Sequence, residues 1–240
     1  GQINKLANVA VYRESPLSAQ DVLDFGAGHV VLATGCEWRR DGYGRSNGGR
    51  VEGFGTHAVH TLDDLMAGVL PEGPVAVFDD DYFYYASLAA EALRRAGREV
   101  TLVTPDDTIA SWTSNTLDYR HIQKRMHELG IRQLVAHNVT AWQGDRLALE
   151  HVWSHEAAVL DCAAVVAVTA RVPSDQLHQD LLAREGEWER AGILSVRCIG
   201  DALAPGLIAH AVYAGHRYAR ELDEVQVGEV PFRRHFHAGA

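Results

Sequence analysis

The chain has 240 residues, of which 47% are hydrophobic and 22% are charged, and its formal net charge is −10. This length allows one large or two modest domains with proper cores, and the composition is ordinary for a globular protein. The acidic balance argues against a nucleic-acid partner, and no apolar run approaches the roughly 20 residues that span a bilayer, so we expect neither nucleic acid nor membrane.

The predicted elements begin with a short strand at residues 8–13. A capping box at residues 18–21 then predicts a brief helix that ends near Gly26. The apolar stretch 29–35 predicts a parallel strand that is covered on both faces. The stretch 37–55 is rich in glycine and arginine, which is typical of a surface linker between domains.

A second unit follows this linker. Residues 75–78, 87–96 and 99–104 predict a strand, a helix and a strand, which together make a βαβ crossover. An amphipathic helix at 117–129 and a hairpin with a Gly-Asp turn come next. The remaining predicted elements are a strand, a helix, a strand and a helix, at 163–169, 174–190, 193–199 and 207–224.

Two distant segments carry the strongest functional signal. The strand 29–35 closes on Ala-Thr-Gly, and the segment 196–202 closes on Gly-Asp. In flavoproteins with two dinucleotide-binding domains, such strands flank the nucleotide, and the stretch between them is an inserted domain. We therefore predict an α/β, FAD/NAD(P)-binding, disulfide-reductase-like Rossmann-type fold. Residues 1–54 and 156–240 would form a discontinuous FAD/ADP-binding-like domain, and residues 55–155 an inserted NAD-binding-like domain.

The opening part of the first domain is missing from this pattern. No strand–Gly-x-Gly-x-x-Gly–helix unit opens the chain, so we expect the first βαβ and its phosphate loop to be absent. The missing strand normally lies in the middle of a doubly wound sheet, and its loss leaves strand edges unpaired. We predict that the first domain is gapped or is completed by another polypeptide, and that the chain is part of a longer protein.

The Gly200-Asp201 dipeptide suits a nucleotide site. Glycine permits a tight turn, Asp201 can accept hydrogen bonds from ribose or ribityl hydroxyls, and a helix N-terminus favours phosphate. A plain strand-to-helix turn with an Asp N-cap explains the same dipeptide, so both interpretations stay open. Trp38, Arg39 and Arg40 leave a similar choice between contact with a nucleotide and an exposed linker cluster.

The second βαβ unit lacks the features that bind a nicotinamide cofactor. Binding needs glycines after the first strand, but this chain has three aspartates at 79–81 and four aromatic residues at 82–85. The carboxylates would repel a diphosphate, and the aromatic rings would fill the space that glycines leave empty. We therefore predict a Rossmann unit that is kept for packing and does not bind NAD(P).

We predict no catalytic residue and no metal site. Cys36, Cys162 and Cys198 stand alone without C-x-x-C spacing, which excludes an iron–sulfur or zinc framework and fits a reducing, cytoplasmic compartment. No serine, cysteine or lysine has the surroundings of a nucleophile. The histidine pairs lack a further ligand at metal-site spacing. They are His57 and His60, His121 and His127, His151 and His155, and His235 and His237.

Several short motifs follow one another along almost the whole chain in a specific order and spacing. They are Tyr12-Arg13-Glu14-Ser15-Pro16, the strand 29–35, Trp38-Arg39-Arg40-Asp41-Gly42, Asp79-Asp80-Asp81, Val103-Thr104-Pro105, Ser111-Trp112-Thr113, Val168-Thr169-Ala170-Arg171 and Ile199-Gly200-Asp201-Ala202. Together they resemble the C-terminal part of the histamine, trimethylamine and dimethylamine dehydrogenases, which are related to old yellow enzyme.

The resemblance implies a parent oxidoreductase with an N-terminal TIM barrel, FMN and a four-iron–four-sulfur cluster. Such a flavoprotein oxidises an amine, passes electrons to an electron-transferring flavoprotein and forms a homodimer. Its C-terminal half holds ADP instead of working FAD. The positions here that match this nucleotide site are Thr34, Gly35, Gly200, Asp201, Leu207 and Ile208.

The departures from the family are large, because the barrel, the cluster cysteines and the first phosphate loop are all missing. We therefore predict a non-catalytic, nucleotide-binding region that carries no cofactor by itself, with ADP possible at a weakened site. Its partner would be the remainder of the parent polypeptide. The alternative is a stand-alone, non-enzymatic interaction or scaffold module with a nucleotide fold. An NAD(P)H-dependent flavin reductase is disfavoured by the acidic turn.

Overall fold

The structure, a computed structural model, describes residues 2–55 and 59–222. The chain divides into two compact units, which we number by their order: unit 1 is Gly1–Gly35 with Pro173–Ala240, and unit 2 is Cys36–Val172. These boundaries differ from the predicted ones at 54/55 and 155/156. Both predicted borders lie inside unit 2, so the inserted unit is longer than the sequence indicated.

The described residues form seven α-helices and twelve strands. The helices are α1 (Ala19–Phe25), α2 (Leu62–Met66), α3 (Tyr85–Arg95), α4 (Tyr119–Glu128), α5 (Gln176–Leu182), α6 (Trp188–Ala191) and α7 (Ile208–Glu221). The strands are β1 (His29–Leu32), β2 (Cys36–Trp38), β3 (Val59–His60), β4 (Val75–Asp79), β5 (Val100–Val103), β6 (Arg132–Leu134), β7 (His137–Trp142), β8 (Arg146–His151), β9 (Ala157–Asp161), β10 (Ala164–Val168), β11 (Arg171–Pro173) and β12 (Ser195–Cys198).

Unit 1 is built around two parallel strands, β1 and β12, which pair directly with each other. Their buried side chains pack with α1 and α5, and Leu23, Val30 and Leu181 are members of this core. The predicted capping box of α1 is present, since the Ser18 N–H donates to the Asp21 carboxylate at 2.8 Å and the Asp21 N–H donates to Ser18 Oγ at 3.3 Å. The capping box fixes where α1 begins.

The strand predicted at residues 8–13 is not formed among the described residues, and that segment is exposed throughout. A strand needs a partner for its backbone groups, and the sheet of unit 1 consists of β1 and β12 alone in the part of the chain that the structure describes. The predicted gap between strands does not arise here, because β1 and β12 are neighbours. Completion of the first domain by another polypeptide stays a prediction.

The helices of unit 1 also depart from the expected pattern. The predicted helix at 174–190 is interrupted, since a 3-10 turn at Glu185–Glu187 separates α5 from α6. The last helix, α7, has no buried residue. Its apolar Ile208, Val212 and Tyr213 are all more than half exposed. An apolar helix face of this kind normally packs against other polypeptide.

Unit 2 contains a five-stranded parallel sheet in the order β3-β10-β4-β5-β6. β4 and β10 are buried along their full length, which is typical of parallel strands covered on both faces. The sequence predicted such coverage for the strand at 29–35, but in β1 only Val30 and Leu32 are buried. The alternation along β4 divides the core, because Val75 and Val77 pack with the helices α3 and α4, while Ala76 and Phe78 pack on the opposite face.

A second, antiparallel sheet of unit 2 covers that opposite face. Its strands lie in the order β7-β8-β9, and β7 and β8 form the predicted hairpin. Leu147 and Leu149 of β8 belong to the same core as Phe78. Val51, within the predicted surface linker, is 6% exposed and also belongs to this core. The linker prediction is therefore wrong for this residue, because glycine-rich composition does not reveal a single buried side chain.

The position of β10 explains the boundary difference. The sequence had assigned residues 156–240 to the first domain, but Ala164–Val168 pairs in parallel with Val75–Asp79 over five residues. A strand buried on both faces belongs to the sheet that it completes.

Within the described residues, no helix has the length and apolar character that crossing a membrane requires.

Candidate functional site

The six residues predicted for a nucleotide site all lie in unit 1, after the ends of its two strands. Leu32 and Cys198 are partners in the β1–β12 register, and the Ile199 N–H donates to the Leu32 carbonyl at 2.9 Å. Thr34 and Gly200 each follow two residues later. Both predicted pairs therefore leave the carboxyl edge of the same sheet, which is the edge where open α/β sheets bind ligands.

The Ala-Thr-Gly end of β1 is held by a residue that the sequence analysis missed. Thr34 Oγ1 donates to the Ser174 carbonyl at 2.5 Å, and the Ser174 N–H donates to the Gly35 carbonyl at 3.0 Å. Gly35 has a φ of +80°, a conformation that favours glycine. The Thr34 hydroxyl thus orients the turn. Ser174 is 140 residues away in the chain, so no local signal identifies it.

The Gly-Asp turn after β12 is closely packed. Gly200 has a φ of +59°, and a Cβ built there would lie 3.5 Å from the Cβ of Ala211 in α7. Asp201 accepts a hydrogen bond through Oδ1 from the Gly206 N–H at 3.0 Å. The long helix does not follow directly, because a 3-10 turn at Gly200–Ala202 and a loop precede α7. Asp201 therefore braces this loop and does not act as the N-cap of α7.

Leu207 and Ile208 mark the start of the 14-residue helix α7, with Leu207 as its N-cap. The ring of His210, which the sequence analysis missed, caps this end, since its Nδ1 accepts from the Leu207 N–H at 3.0 Å. The first N–H groups of a helix carry partial positive charge. The Gly200 turn lies beside this helix, since a Cβ built on Gly200 would contact Ala211.

The acidic turn of unit 2 differs from its predicted behaviour. Asp79 and Asp80 are 1% and 0% exposed, and Asp81 is 7% exposed, so none of the three carboxylates faces solvent as a repelling charge. Asp79 Oδ1 accepts from the Asp81 and Tyr82 N–H groups at 3.2 and 2.9 Å. The predicted repulsion of a diphosphate is therefore not supported by the geometry, because the chain turns these groups inward.

Burial dominates the electrostatics of this turn. It raises the pKa of Asp79 to about 7, and the nearby charge of Asp81 contributes to the rise, while backbone N–H donors oppose it. Burial also raises the pKa of Asp81, against the opposing charges of Arg171 and Arg45. Within the described residues, the Oδ2 atoms of Asp79 and Asp81 have no hydrogen-bond partner, so no donor at these two atoms offsets the cost of burying a charged carboxylate.

The side chains that follow Ala-Thr-Gly in the sequence are engaged within unit 2. Trp38 packs edge-on against Tyr85, with ring centroids 5.3 Å apart, and the Arg171 guanidinium lies over the Trp38 ring at 5.0 Å. Arg39 pairs with Asp41 at 2.6 Å. These contacts favour a structural role over contact with a nucleotide.

Arg40 is engaged in the same way. It pairs with Asp64 at 2.6 Å, and this hydrogen bond lowers the pKa of the Asp64 carboxyl. A guanidinium in an ion pair of this kind is already committed to a partner within the chain.

The cysteines and the described histidines do not gather into a metal-binding group. Cys162 and Cys198 belong to different hydrophobic cores, and Cys36 lies in β2. Across residues 2–55 and 59–222, no group of three or more His, Cys, Asp or Glu side chains could hold a metal ion. The expected histidine positions His57, His235 and His237 lie outside the described residues.

Comparisons with known proteins give this chain clear relatives. Residues 60–166 match the family of OYE-like second alpha/beta domains. Dimethylamine dehydrogenase of Hyphomicrobium sp. (strain x) is 32% identical over 246 residues, which is 92% of this chain and 33% of the relative. The chain thus spans about a third of that relative's length.

Two solved structures are similar over nearly the whole chain. Histamine dehydrogenase from Rhizobium sp. 4-9 matches with a TM-score of 0.91 and 43% identity, covering 98% of this chain and 35% of that one. The 6-hydroxypseudooxynicotine amine oxidase of Pseudomonas geniculata N1 matches with a TM-score of 0.85 and 37% identity, covering 90% and 32%. All three proteins act on amines by name, and this chain corresponds to roughly a third of each.

Proposed function

We propose, from the membership of this chain in the histamine and dimethylamine dehydrogenase family, that it is the non-catalytic, nucleotide-binding C-terminal region of a flavin-dependent amine dehydrogenase. The parent would oxidatively deaminate an amine with FMN and an iron–sulfur cluster in its barrel, pass electrons to an electron-transferring flavoprotein and act as a cytoplasmic homodimer. The observation that carries the proposal is the match to histamine dehydrogenase over 98% of this chain but 35% of that one.

The arrangement of unit 1 supports a nucleotide at the carboxyl edge of β1 and β12. Asp201, Gly200 and the start of α7 meet there, and an adenosine diphosphate would find a helix N-terminus for its phosphates and a carboxylate for a ribose hydroxyl. The exposed apolar face of α7 supports a further point, that additional polypeptide of the parent covers this unit.

The residues present do not fit the redox groups of the parent. Three isolated cysteines cannot supply the four thiolates that a four-iron–four-sulfur cluster takes from its protein. We therefore assign no redox step to this chain. Its side chains would bind and orient the adenine nucleotide, while FMN and the amine pocket would belong to the barrel.

Two preparations test the proposal. The 240-residue chain should show no flavin absorbance and no amine-dependent dye reduction, whereas the full parent polypeptide should show both. Flavin-coupled dye reduction by the purified 240-residue chain would refute the assignment. A parent without amine oxidation, in a chain that still assembles with other proteins, would instead support the scaffold alternative.

Nucleotide retention tests the site itself. ADP released by denaturing the parent should be close to stoichiometric. Asp201→Ala should weaken ADP binding at least tenfold and so lower the ADP that is retained through dialysis, because a lost charged hydrogen bond to a ribose hydroxyl is worth roughly 1.5–3 kcal/mol. The matched control is Asp180→Ala, an exposed acid on α5 of the same unit. Equal ADP content in both variants would remove Asp201 from the site.

A further inference from the structure

The place directly after β4 is closed by a short loop of the same unit. In an open parallel sheet, this carboxyl-end turn is where a dinucleotide approaches the backbone. We call residues 44–47 the strap. Its two ends are linked, because the Gly44 N–H donates to the Asn47 carbonyl at 3.0 Å.

Asp80 holds the strap by its backbone. The Ser46 N–H lies 3.0 Å from both carboxylate oxygens of Asp80, and the Asn47 N–H lies 3.3 Å from Oδ2. Successive backbone N–H groups around one anion are the arrangement that cradles phosphate in nucleotide-binding loops. Here the acceptor is the carboxyl group of Asp80, which is fully buried.

The approach of the strap to Asp80 requires glycine at position 44. A Cβ built on Gly44 would lie 2.1 Å from Asp80 Oδ2, which is far inside the contact distance of the two atoms. The strap is also fixed at its far end, where Asn138 Nδ2 donates to Asn47 Oδ1 at 2.8 Å.

Arg45 fixes the strap through aromatic rings that the sequence places after the aspartates. Its guanidinium carbon lies 5.9 Å from the ring centroids of Tyr82 and Phe83 and 5.7 Å from that of Trp112. Each distance is within the range of cation–π attraction. The Ser46 hydroxyl also hydrogen-bonds to the Tyr82 hydroxyl.

We propose that the strap occupies the place in unit 2 where a dinucleotide would bind. Asp80 positions the strap, and Arg45 holds it by packing over aromatic rings. Unit 2 therefore excludes nicotinamide dinucleotides by occupancy and not by charge repulsion. This inference goes beyond the proposed function, because it concerns a different unit and depends on neither amine oxidation nor ADP.

Hydrogen exchange of the strap tests the contact. In the 240-residue chain, the Ser46 and Asn47 amides should be protected, and Asp80→Ala should speed their exchange at least tenfold. Asp80→Asn keeps an acceptor oxygen and should retain most of the protection. The matched control is Asp107→Ala, at an exposed acid of the same unit. Unchanged protection in Asp80→Ala would overturn the proposal.

A second variant changes an exposed side chain, so it tests the strap without disturbing the core. Arg45 is exposed, so Arg45→Ala should keep the circular dichroism spectrum of the unchanged chain, while its strap amides should exchange at least threefold faster. A rate equal to that of the unchanged chain would remove Arg45 as the anchor and would overturn that part of the proposal.

NADH titration separates occupancy from repulsion. The unchanged chain and Asp80→Asn should not bind NADH, whereas the Asp80→Ala/Arg45→Ala double variant should bind it with a Kd of about 1 mM or tighter. Binding by Asp80→Asn equal to that of the double variant would favour repulsion and overturn the proposal. A released strap without NADH binding would also overturn it, because something other than the strap would then close the position.

Discussion

The buried carboxyl group of Asp79 makes a quantitative prediction about stability and pH. Burial raises its pKa from 3.8 to about 7 in the folded state, so the folded protein holds this proton more tightly than the unfolded chain. The contribution of this proton to the free energy of unfolding is fully present below about pH 4, is lost as the pH rises through about 7, and is absent above that. The whole contribution corresponds to about 4 kcal/mol, at roughly 1.36 kcal/mol for each unit by which the pKa is raised.

The variant Asp79→Asn isolates this contribution. An asparagine keeps an acceptor for the Asp81 and Tyr82 N–H groups and does not titrate. Urea unfolding followed by tryptophan fluorescence should therefore show that, as the pH rises, the free energy of unfolding of the variant increases relative to that of the unchanged protein. Roughly 2–3 kcal/mol of this relative gain should fall between pH 5 and pH 8, from the two pKa values.

Comparing the variant with the unchanged protein cancels the effect of other groups that titrate in the same pH range. Carboxyl groups whose pKa is lowered by arginine partners, such as Asp41 and Asp64, lose their stabilising contribution as the pH falls, and they do so equally in both proteins. The exposed Asp107→Asn provides a second control. A difference between Asp79→Asn and the unchanged protein that stays constant from pH 5 to pH 8 would refute the buried, protonated state of Asp79.

Two further predictions concern packing in unit 2. Leu93 of α3 is 0% exposed, so Leu93→Ala should lower the free energy of unfolding by about 2–5 kcal/mol, whereas Leu88→Ala on the exposed side of the same helix should cost far less in the same urea titration. A Cβ on Gly53, whose φ is +77°, would lie 2.0 Å from the Trp142 carbonyl oxygen. Gly53→Ala should therefore lower the melting temperature clearly more than Gly55→Ala, which has φ +86° and open space around it; equal losses would attribute the effect to backbone strain alone.

The regular elements were largely predictable because their signals are local. The capping box at Ser18 places the start of α1, and apolar runs identify β4 and β10 as strands. The family resemblance was also predictable, since its motifs lie in a specific order, and the relatives confirm it. The strand at 8–13 was wrong, because a strand pattern does not show whether a partner strand is present.

The candidate site divides in the same way. Thr34, Gly35, Gly200 and Asp201 were identified from two short motifs, and Leu207 and Ile208 from the family resemblance. The β1–β12 register explains how the two motifs reach one edge. Ser174 was missed because its hydrogen bond with Thr34 spans 140 residues and leaves no local pattern. His210 was missed, although it contacts Leu207 only three residues away, because histidine is not among the residues that indicate a helix start. The role of the six predicted residues as a nucleotide site stays a prediction.

The sequence by itself determined the family, the parallel α/β character and the positions of the turns after β1 and β12, because periodicity, capping residues and motif spacing act over short distances along the chain. Only the tertiary structure decided that β10 belongs to unit 2 and that the acidic turn points inward. Strand order and side-chain burial depend on contacts between residues far apart in sequence. Asp80 meets the backbone of Ser46 across 34 residues, and composition alone predicts a repelling charge where folding places a buried hydrogen-bond acceptor.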